Sequence, residues 1–155
     1  MKPMPGKTLV SNRRARREYF IEESYEAGLV LTGSEIKSIR AGRANLQDSY
    51  VTIRDGEAWL VNSHVSPYKQ ASQENHEPKR DRKLLLHRRQ IDRLVGSIQT
   101  KGYTIIPLRI YLKNNRAKVE IALAKGKKLY DKRDDLAKRQ AQRDMERAMR
   151  RTTFE

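Results

Sequence analysis

"DSYVTIRDGEAWLVNS", residues 48–63, decides how the rest of the chain is read. Val51 and Ile53 on one side, and Trp59 and Val61 on the other, alternate with other residues around Asp55-Gly56, a pair that tolerates the positive φ of a tight turn. The stretch predicts a β-hairpin.

Working outward from it, "LVLTGSEIKSIRAG" (29–42) carries the marks of a short helix. Thr32 or Ser34 can accept orphan N–H bonds, Ile36 and Ile39 share a face, and Gly42 closes the end. With the isoleucines inward, Lys37 and Arg40 point to solvent or a ligand. Further back, "NRRARREY" (12–19) sets Arg13, Arg14, Arg16 and Arg17 side by side. A helix there would point positive charge all round, so the reading is a basic arm entering a strand at "EYFIEES" (18–24). Residues 1–11, with two prolines and a glycine, read as a flexible lead-in.

Downstream, residues 63–82 are polar and hold Pro67 and Pro78, which predicts an exposed loop. A brief strand at Leu84–Leu86 follows, then a helix whose Ile91, Leu94, Val95 and Ile98 form one stripe, ending before Gly102. "YTIIPLRIYL" (103–112) and "RAKVEIALA" (116–124) are two longer strands joined at Asn114-Asn115. About six or seven strands, mostly joined by hairpins and carrying two helices, predict a mainly β fold. The architecture expected is a small, closed or nearly closed antiparallel barrel, OB-like, over residues 12–125, with a basic tail over 126–155.

Composition narrows function. Over 155 residues, 34 Lys and Arg against 19 Asp and Glu leave a formal charge of +15, which points to a polyanionic partner. There is no cysteine, so disulfides, thiolate nucleophiles and Cys-based zinc sites are excluded. No apolar run suits a signal peptide or a membrane span, so a cytoplasmic protein is expected. His64, His76 and His87 share no metal-ligand spacing and read as surface or structural imidazoles. "AKGKK" lacks the spacing of a P-loop, and no GxSxG or HExxH occurs. Glu22 and Glu23 would face opposite sides of a strand. Neither enzyme chemistry nor a cofactor or metal is expected.

The tail is the oddest segment. From Lys125 to Arg151 it holds eleven Lys and Arg against five Asp and Glu. Leu136 or Ala137, Ala141, Met145 and Ala148 share a helical face, but alanines bury too little at about 25 cal/mol per Å² for packing to hold them. Pairs such as Asp135–Arg139 and Glu146–Arg150 add only about 0.2–0.5 kcal/mol each. A solvated surface helix fits this pattern, and so does a segment that becomes helical along a phosphate-lined path. A membrane-surface helix would want Leu, Phe or Trp on its buried face. The overall charge favours the phosphate path.

"NRRARREYFIEESYEAGLVLTGSEIKSIRAGRANLQDSYV", "DGEAWL", "RKLLLH", "KGYTIIPL" and "KVEIALAKGKKLYDKR" together resemble the SsrA-binding protein family, also called small protein B, over nearly the whole chain. The resemblance implies a non-catalytic OB-like barrel that binds the tRNA-like domain of transfer-messenger RNA and enters stalled bacterial ribosomes with it for trans-translation. A monomer is expected. Glu26, Leu85, His87 and Lys118 match positions that the family associates with RNA binding, and Arg13, Lys37 and Arg40 are candidate phosphate contacts beside them. Lys118 suits a phosphate, whereas Glu26 would accept from a base amino group or a 2′-hydroxyl, or hold a neighbouring cation. On the residues alone, Leu85 reads equally as core and Glu26 as an ordinary surface acid.

Gly126, Lys127, Lys128, Tyr130, Asp131, Lys132 and Arg133 match the family's junction motif, which implies contact near the small-subunit decoding centre. Tyr130 is the candidate for stacking on an exposed rRNA base, and the tail beyond it for a helix in the empty mRNA channel. Gln90, where Glu is expected, and Ser34, where a larger residue is common, depart from the pattern. The competing reading is a generic rRNA-binding ribosomal or assembly factor.

Overall fold

The structure is a computed structural model that describes residues 7–68, 75–127 and 129–154. The hairpin forms as β4 (Tyr50–Arg54) and β5 (Glu57–Val61). Asp55 and Gly56 take φ of 51° and 74°, the left-handed pair that a two-residue turn with native strand twist requires. That turn fixes the register, and with it comes a correction to the pattern read around it. Val51 faces Leu60 and Ile53 faces Ala58, so Ala58 and Leu60 supply the core face of β5. Trp59 faces Thr52 on the other side, with the Arg54 guanidinium 5.3 Å from its ring centroid.

The hairpin is one segment of a ring. β8 (Thr104–Lys113) pairs with β4, β5 with β7 (Arg82–Leu85), β7 with β2 (Tyr19–Leu29), β2 with β9 (Arg116–Gly126), and β9 back with β8. All these pairings are antiparallel, so six strands close on themselves, with β4 meeting β8 only at Val51 and Ile105 and the rest of that β8 edge left for a further strand. Leu60, Ile105, Ile110, Val119 and Ile121, each 1% exposed or less, fill the ring. Asn114 and Asn115, at φ of 52° and 62°, turn β8 into β9 as their types suggested. Pro107 has no N–H for the β8–β9 ladder, and the register shifts between Pro107 and Arg109.

Two stretches differ from the reading of the bare sequence. Thr8–Ser11 is β1, added antiparallel to the outer edge of β8, so the expected lead-in is shorter than 1–11. The arginine run is not an extended arm throughout: Ala15–Glu18 forms a single turn, α1. One buried residue, Ala15 at 2% exposure, is enough to seat it while Arg13, Arg14, Arg16 and Arg17 stay in solvent.

α2 (Gly33–Arg40) begins at Thr32 with a reciprocal capping box to Glu35. Ile39 is buried and Ile36 half-buried, while Lys37 and Arg40 are exposed as expected. The segment from 63 to 82 is not a plain loop. His64–Val65, β6, pairs with Ala44–Asn45, β3, and the segment ends in Arg82, which is 1% exposed. Arg82 Nε bonds Glu35 Oε2, its Nη1 donates to Ser63 O and Oγ, both at 3.0 Å, and Arg80 Nη2 lies 2.6 Å from Glu35 Oε1. His76 adds a clamp, 2.8 Å from both Ser34 Oγ and Val65 O. A charge cluster thus ties α2 to the start of β7 and the chain just before it, and Ser34 has a partner in His76.

α3 (Arg88–Lys101) lays Ile91 and Leu94 on the barrel and ends at Gly102, whose φ of 65° makes the left-handed cap. Gln90 Oε1 accepts from the His87 backbone N–H at 3.1 Å, so the amide serves at this helix start as an acid would. α4 (Leu129–Phe154) follows β9. Its residues 136–149 are exposed on every face, including Leu136, Met145 and Met149. Arg139 Nη2 donates to Arg16 O at 3.2 Å, and Gln140 to Asp144 at 3.0 Å. The side chains of Asp135 and Arg150, expected in intrahelical pairs, lie outside the described residues.

Candidate nucleic-acid interface

Ring closure brings together residues far apart in sequence. One row runs across four strands: Leu85 on β7 faces Gly28 on β2, which faces Lys118 on β9, which faces Tyr111 on β8. Glu26 is two residues from Gly28 and therefore on the same face of β2. A cleft of about 590 Å³ lies over this row, lined by Glu26, Leu85, His87 and Lys118 together with Lys83 and Arg88. Four of the sequence-predicted residues therefore converge on one site. A second hollow of about 400 Å³ shares Glu26 and Lys118 with it and adds Lys113, Asn114 and Arg116.

Leu85 is 55% exposed, so its reading as core is wrong. Gly28 beneath it explains the placement, because a Cβ there would lie 3.1 Å from Leu85 Cβ. Glu26 is not an ordinary surface acid either. Tyr111 Oη donates to its Oε2, and Lys113 Nζ lies 3.3 Å from Oε1. The hydrogen bond from Tyr111 holds the Glu26 carboxyl below the usual carboxylate range, with Lys113 and Lys118 adding to it against the cost of burial. Burial and the bond to Glu26 push the Tyr111 hydroxyl upward, so it stays a donor. The site can present a fixed anionic acceptor, an exposed apolar surface and several cations side by side, which suits a 2′-hydroxyl or base amino group between phosphates.

The other candidates lie elsewhere. Arg13, Lys37 and Arg40 are exposed but line neither hollow, and Lys37 Nζ sits 5.5 Å from the Tyr68 ring centroid. At the junction, Gly126 ends β9, and Tyr130, Asp131, Lys132 and Arg133 fall in the first turns of α4. Lys128 lies outside the described residues. Lys127, expected to reach outward, is turned in. It is 9% exposed, its N–H donates to Glu18 O at 2.8 Å, its Nζ donates to Arg16 O at 3.0 Å, and it lies 4.9 Å from the Phe20 ring centroid. Carbonyl oxygens at the end of α1 and an aromatic face draw it inward.

Sequence reading missed Lys113 and Arg116, although cations flanking a hairpin turn that faces Lys118 were a visible signal. It also missed Tyr111, whose role exists only through a strand 85 positions from Glu26. Among the described residues no group of three or more His, Cys, Asp or Glu could hold a metal ion, and no helix is long and apolar enough to cross a membrane.

Comparison with known proteins places this geometry. The family model described as SmpB protein matches residues 9–151. An SsrA-binding protein of Desulforudis audaxviator is 64% identical over 146 residues, covering 94% of this chain and 95% of the relative. One from Geobacillus thermodenitrificans is 57% identical, with 94% of each chain covered. A solved structure described as "tmRNA-SmpB: a journey to the center of the bacterial ribosome" superposes with a TM-score of 0.68 at 43% identity, covering 84% of this chain and 95% of the other. With matches that run almost end to end and keep the cleft residues within them, this chain belongs to the SmpB protein family, the SsrA-binding proteins.

Proposed function

We propose that this protein is a non-catalytic RNA-binding adaptor of the bacterial cytoplasm. It binds the tRNA-like domain of transfer-messenger RNA through the cleft over Glu26, Leu85, His87 and Lys118, and accompanies that RNA into stalled ribosomes for trans-translation. The convergence of those four residues, from three strands and a helix start, on one cationic cleft carries the reading. The names of the relatives and the tmRNA–ribosome setting of the structural neighbour support it.

In this reading Lys118, Lys113 and Arg116 meet phosphates, Leu85 packs on a ribose or base, and Glu26 accepts from a sugar hydroxyl or an amino group. Arg13, Lys37 and Arg40 add longer-range attraction. Residues from Gly126 onward form the ribosomal arm, with Gly126, Lys128, Tyr130, Asp131, Lys132 and Arg133 near the decoding centre, Lys127 as the internal anchor and α4 along the mRNA channel.

Binding of the full chain to transfer-messenger RNA and to an unrelated structured RNA, compared at physiological salt, tests the reading. Preferential binding that weakens at least tenfold in Lys118→Ala is expected. Equal affinity for both RNAs would remove the adaptor reading and favour the generic rRNA-binding factor.

A further inference from the structure

Beside the row that floors the cleft, a second row crosses the same face of the barrel. Glu26 on β2 stands opposite Glu120 on β9, which stands opposite Arg109 on β8. Like charges directly across a ladder repel each other, and two carboxylates here would also repel an approaching phosphate. Arg109 offsets this: its Nε lies 3.6 Å from Glu120 Oε1, with the two side chains 16% and 15% exposed. Its Nη1 donates to Thr8 Oγ1 at 2.6 Å, which fastens the guanidinium to β1. The same group lies 4.2 Å from the ring centroid of Tyr111. Tyr111 points away from the barrel interior, because its neighbour Ile110 belongs to the core, and yet it is 0% exposed, with Arg109 as part of its cover. Its hydroxyl donates to Glu26 Oε2. This arrangement costs stability, since Arg109 Nη2 is buried with no hydrogen-bond partner among the described residues.

We propose that Arg109 is a positioning residue for the RNA contact of Glu26, acting through Tyr111 and Glu120 without touching RNA itself. The inference rests on the RNA-binding reading and deepens it. Arg109 lines neither hollow around Glu26, and its guanidinium is engaged by Thr8, Tyr111 and Glu120. Two routes lead from it to Glu26. Against the ring of Tyr111 it fixes where the phenol oxygen sits, and that oxygen fixes the Glu26 carboxylate. The anchored group keeps free lone pairs for a sugar hydroxyl or a base amino group, and an acceptor fixed beforehand loses less freedom on binding than a mobile one. Burial and the bond to Glu26 push the Tyr111 hydroxyl upward, while the Arg109 charge acts the other way and makes the O–H a better donor. By the second route Arg109 neutralises the acid opposite Glu26, so that Glu26 meets RNA as a single anion beside Lys113 and Lys118. Lysine in place of Arg109 keeps the charge but lacks the plane that stacks on a ring while donating at its edges.

Affinity for transfer-messenger RNA is measured on the full chain for wild type, Arg109→Lys, Arg109→Met, Glu26→Ala, Arg109→Met combined with Glu26→Ala, and Lys118→Ala, each below its own melting temperature. Arg109→Lys and Arg109→Met are both expected to bind about three- to tenfold more weakly than wild type. With Glu26→Ala already in place, Arg109→Met should weaken binding by about twofold at most, because the group that Arg109 positions is gone. The slope of log affinity against log salt should stay unchanged in Arg109→Met, as no phosphate contact is lost. A loss that persists in the Glu26→Ala background would overturn the proposal. With a salt slope reduced by about one it would make Arg109 a direct phosphate contact, and with an unchanged slope a support of the fold alone. Wild-type affinity in Arg109→Lys would overturn it too, by reducing the role to a bare charge or to none; if Lys118→Ala still weakens binding, the adaptor function stands. Failure of the wild type to prefer transfer-messenger RNA over an unrelated structured RNA would defeat the RNA-binding reading itself, and this inference with it.

Discussion

Leu85 stands directly across the β2–β7 ladder from Gly28, and only the missing Cβ at Gly28 lets its side chain lie down over the strand. Gly28→Ala puts a methyl 3.1 Å from Leu85 Cβ and 3.3 Å from its Cδ1. Because Leu85 is 55% exposed, it can tilt outward, and the stability loss should stay at the low end of overpacking costs, about 1 kcal/mol. The affinity for transfer-messenger RNA should fall further, by about tenfold and as much as in Leu85→Ala, since both changes remove the apolar surface from its place. Urea unfolding and RNA titration on the two variants check this. An unimpaired Gly28→Ala would mean that Leu85 need not lie where the sheet holds it.

A pH prediction follows from the Tyr111–Glu26 bond. Glu26 has a folded pKa below its ordinary 4.5, so its contribution to stability is full above that value and disappears as pH falls through the lowered one. Tyr111→Phe removes the leading cause of the shift and keeps the ring that Arg109 covers at 4.2 Å. The variant should be about 1 kcal/mol less stable than wild type at pH 7, with the gap closing at an acid pH low enough to protonate the Glu26 carboxyl in both proteins. Urea unfolding at the two pH values measures it, and a gap that persists in acid would show that the hydroxyl acts by packing instead.

Local chemistry was readable in this sequence wherever the cause was local. The Asp55-Gly56 and Asn114-Asn115 turns, the Thr32 cap and the Gly102 stop all lie where their residue types predicted. The burial of Arg82 was not readable, because its partner Glu35 is 47 positions away and nothing in a polar, proline-containing stretch marks one arginine as internal. Lys127 escaped for the same reason: its carbonyl partner at Arg16 is 111 positions distant. Ala15 was hidden among arginines, since a single small residue can seat one helical turn without any periodic pattern. The cleft itself depends on which strand meets which around the ring. Periodicity does not encode that order, and family resemblance alone gathered Glu26, Leu85, His87 and Lys118 beforehand.

The Glu35–Arg82 cluster should be the most fragile point in the fold. Both side chains are 1% exposed or less, so removing Arg82 leaves the Glu35 carboxylate buried with only the partly exposed Arg80 as its charge partner and strips the bonds that Arg82 makes to Ser63. Arg82→Met should cost about 3–5 kcal/mol in urea unfolding, well above the cost of Leu85→Ala at the surface. Bonds from Arg80, Thr32 and Arg82 hold the Glu35 carboxyl below its ordinary range against burial, which acts the other way. The cluster's contribution is therefore present at neutral pH and lost as acid protonates Glu35. The deficit of Arg82→Met should shrink on acidification, and a pH-independent deficit would contradict the charge argument.

The tail supplies the last prediction, and its basis is what α4 leaves uncovered. Residues 136–149 are exposed throughout, so they add little apolar burial to the barrel. The anchor, by contrast, lies before the helix, where Lys127 bonds Glu18 O and Arg16 O. Truncation after Arg133 keeps that anchor and the junction while deleting Lys138, Arg139, Arg143, Arg147, Arg150 and Arg151. The shortened chain should unfold within about 1 kcal/mol of the full one and retain most of its affinity for transfer-messenger RNA. In a reconstituted rescue assay on stalled ribosomes it should fail to tag the nascent chain, because the cations that would follow the rRNA phosphates are gone. Concurrent loss of RNA affinity and rescue would place the tail inside the primary RNA site, and retained rescue would remove the ribosomal arm from its role.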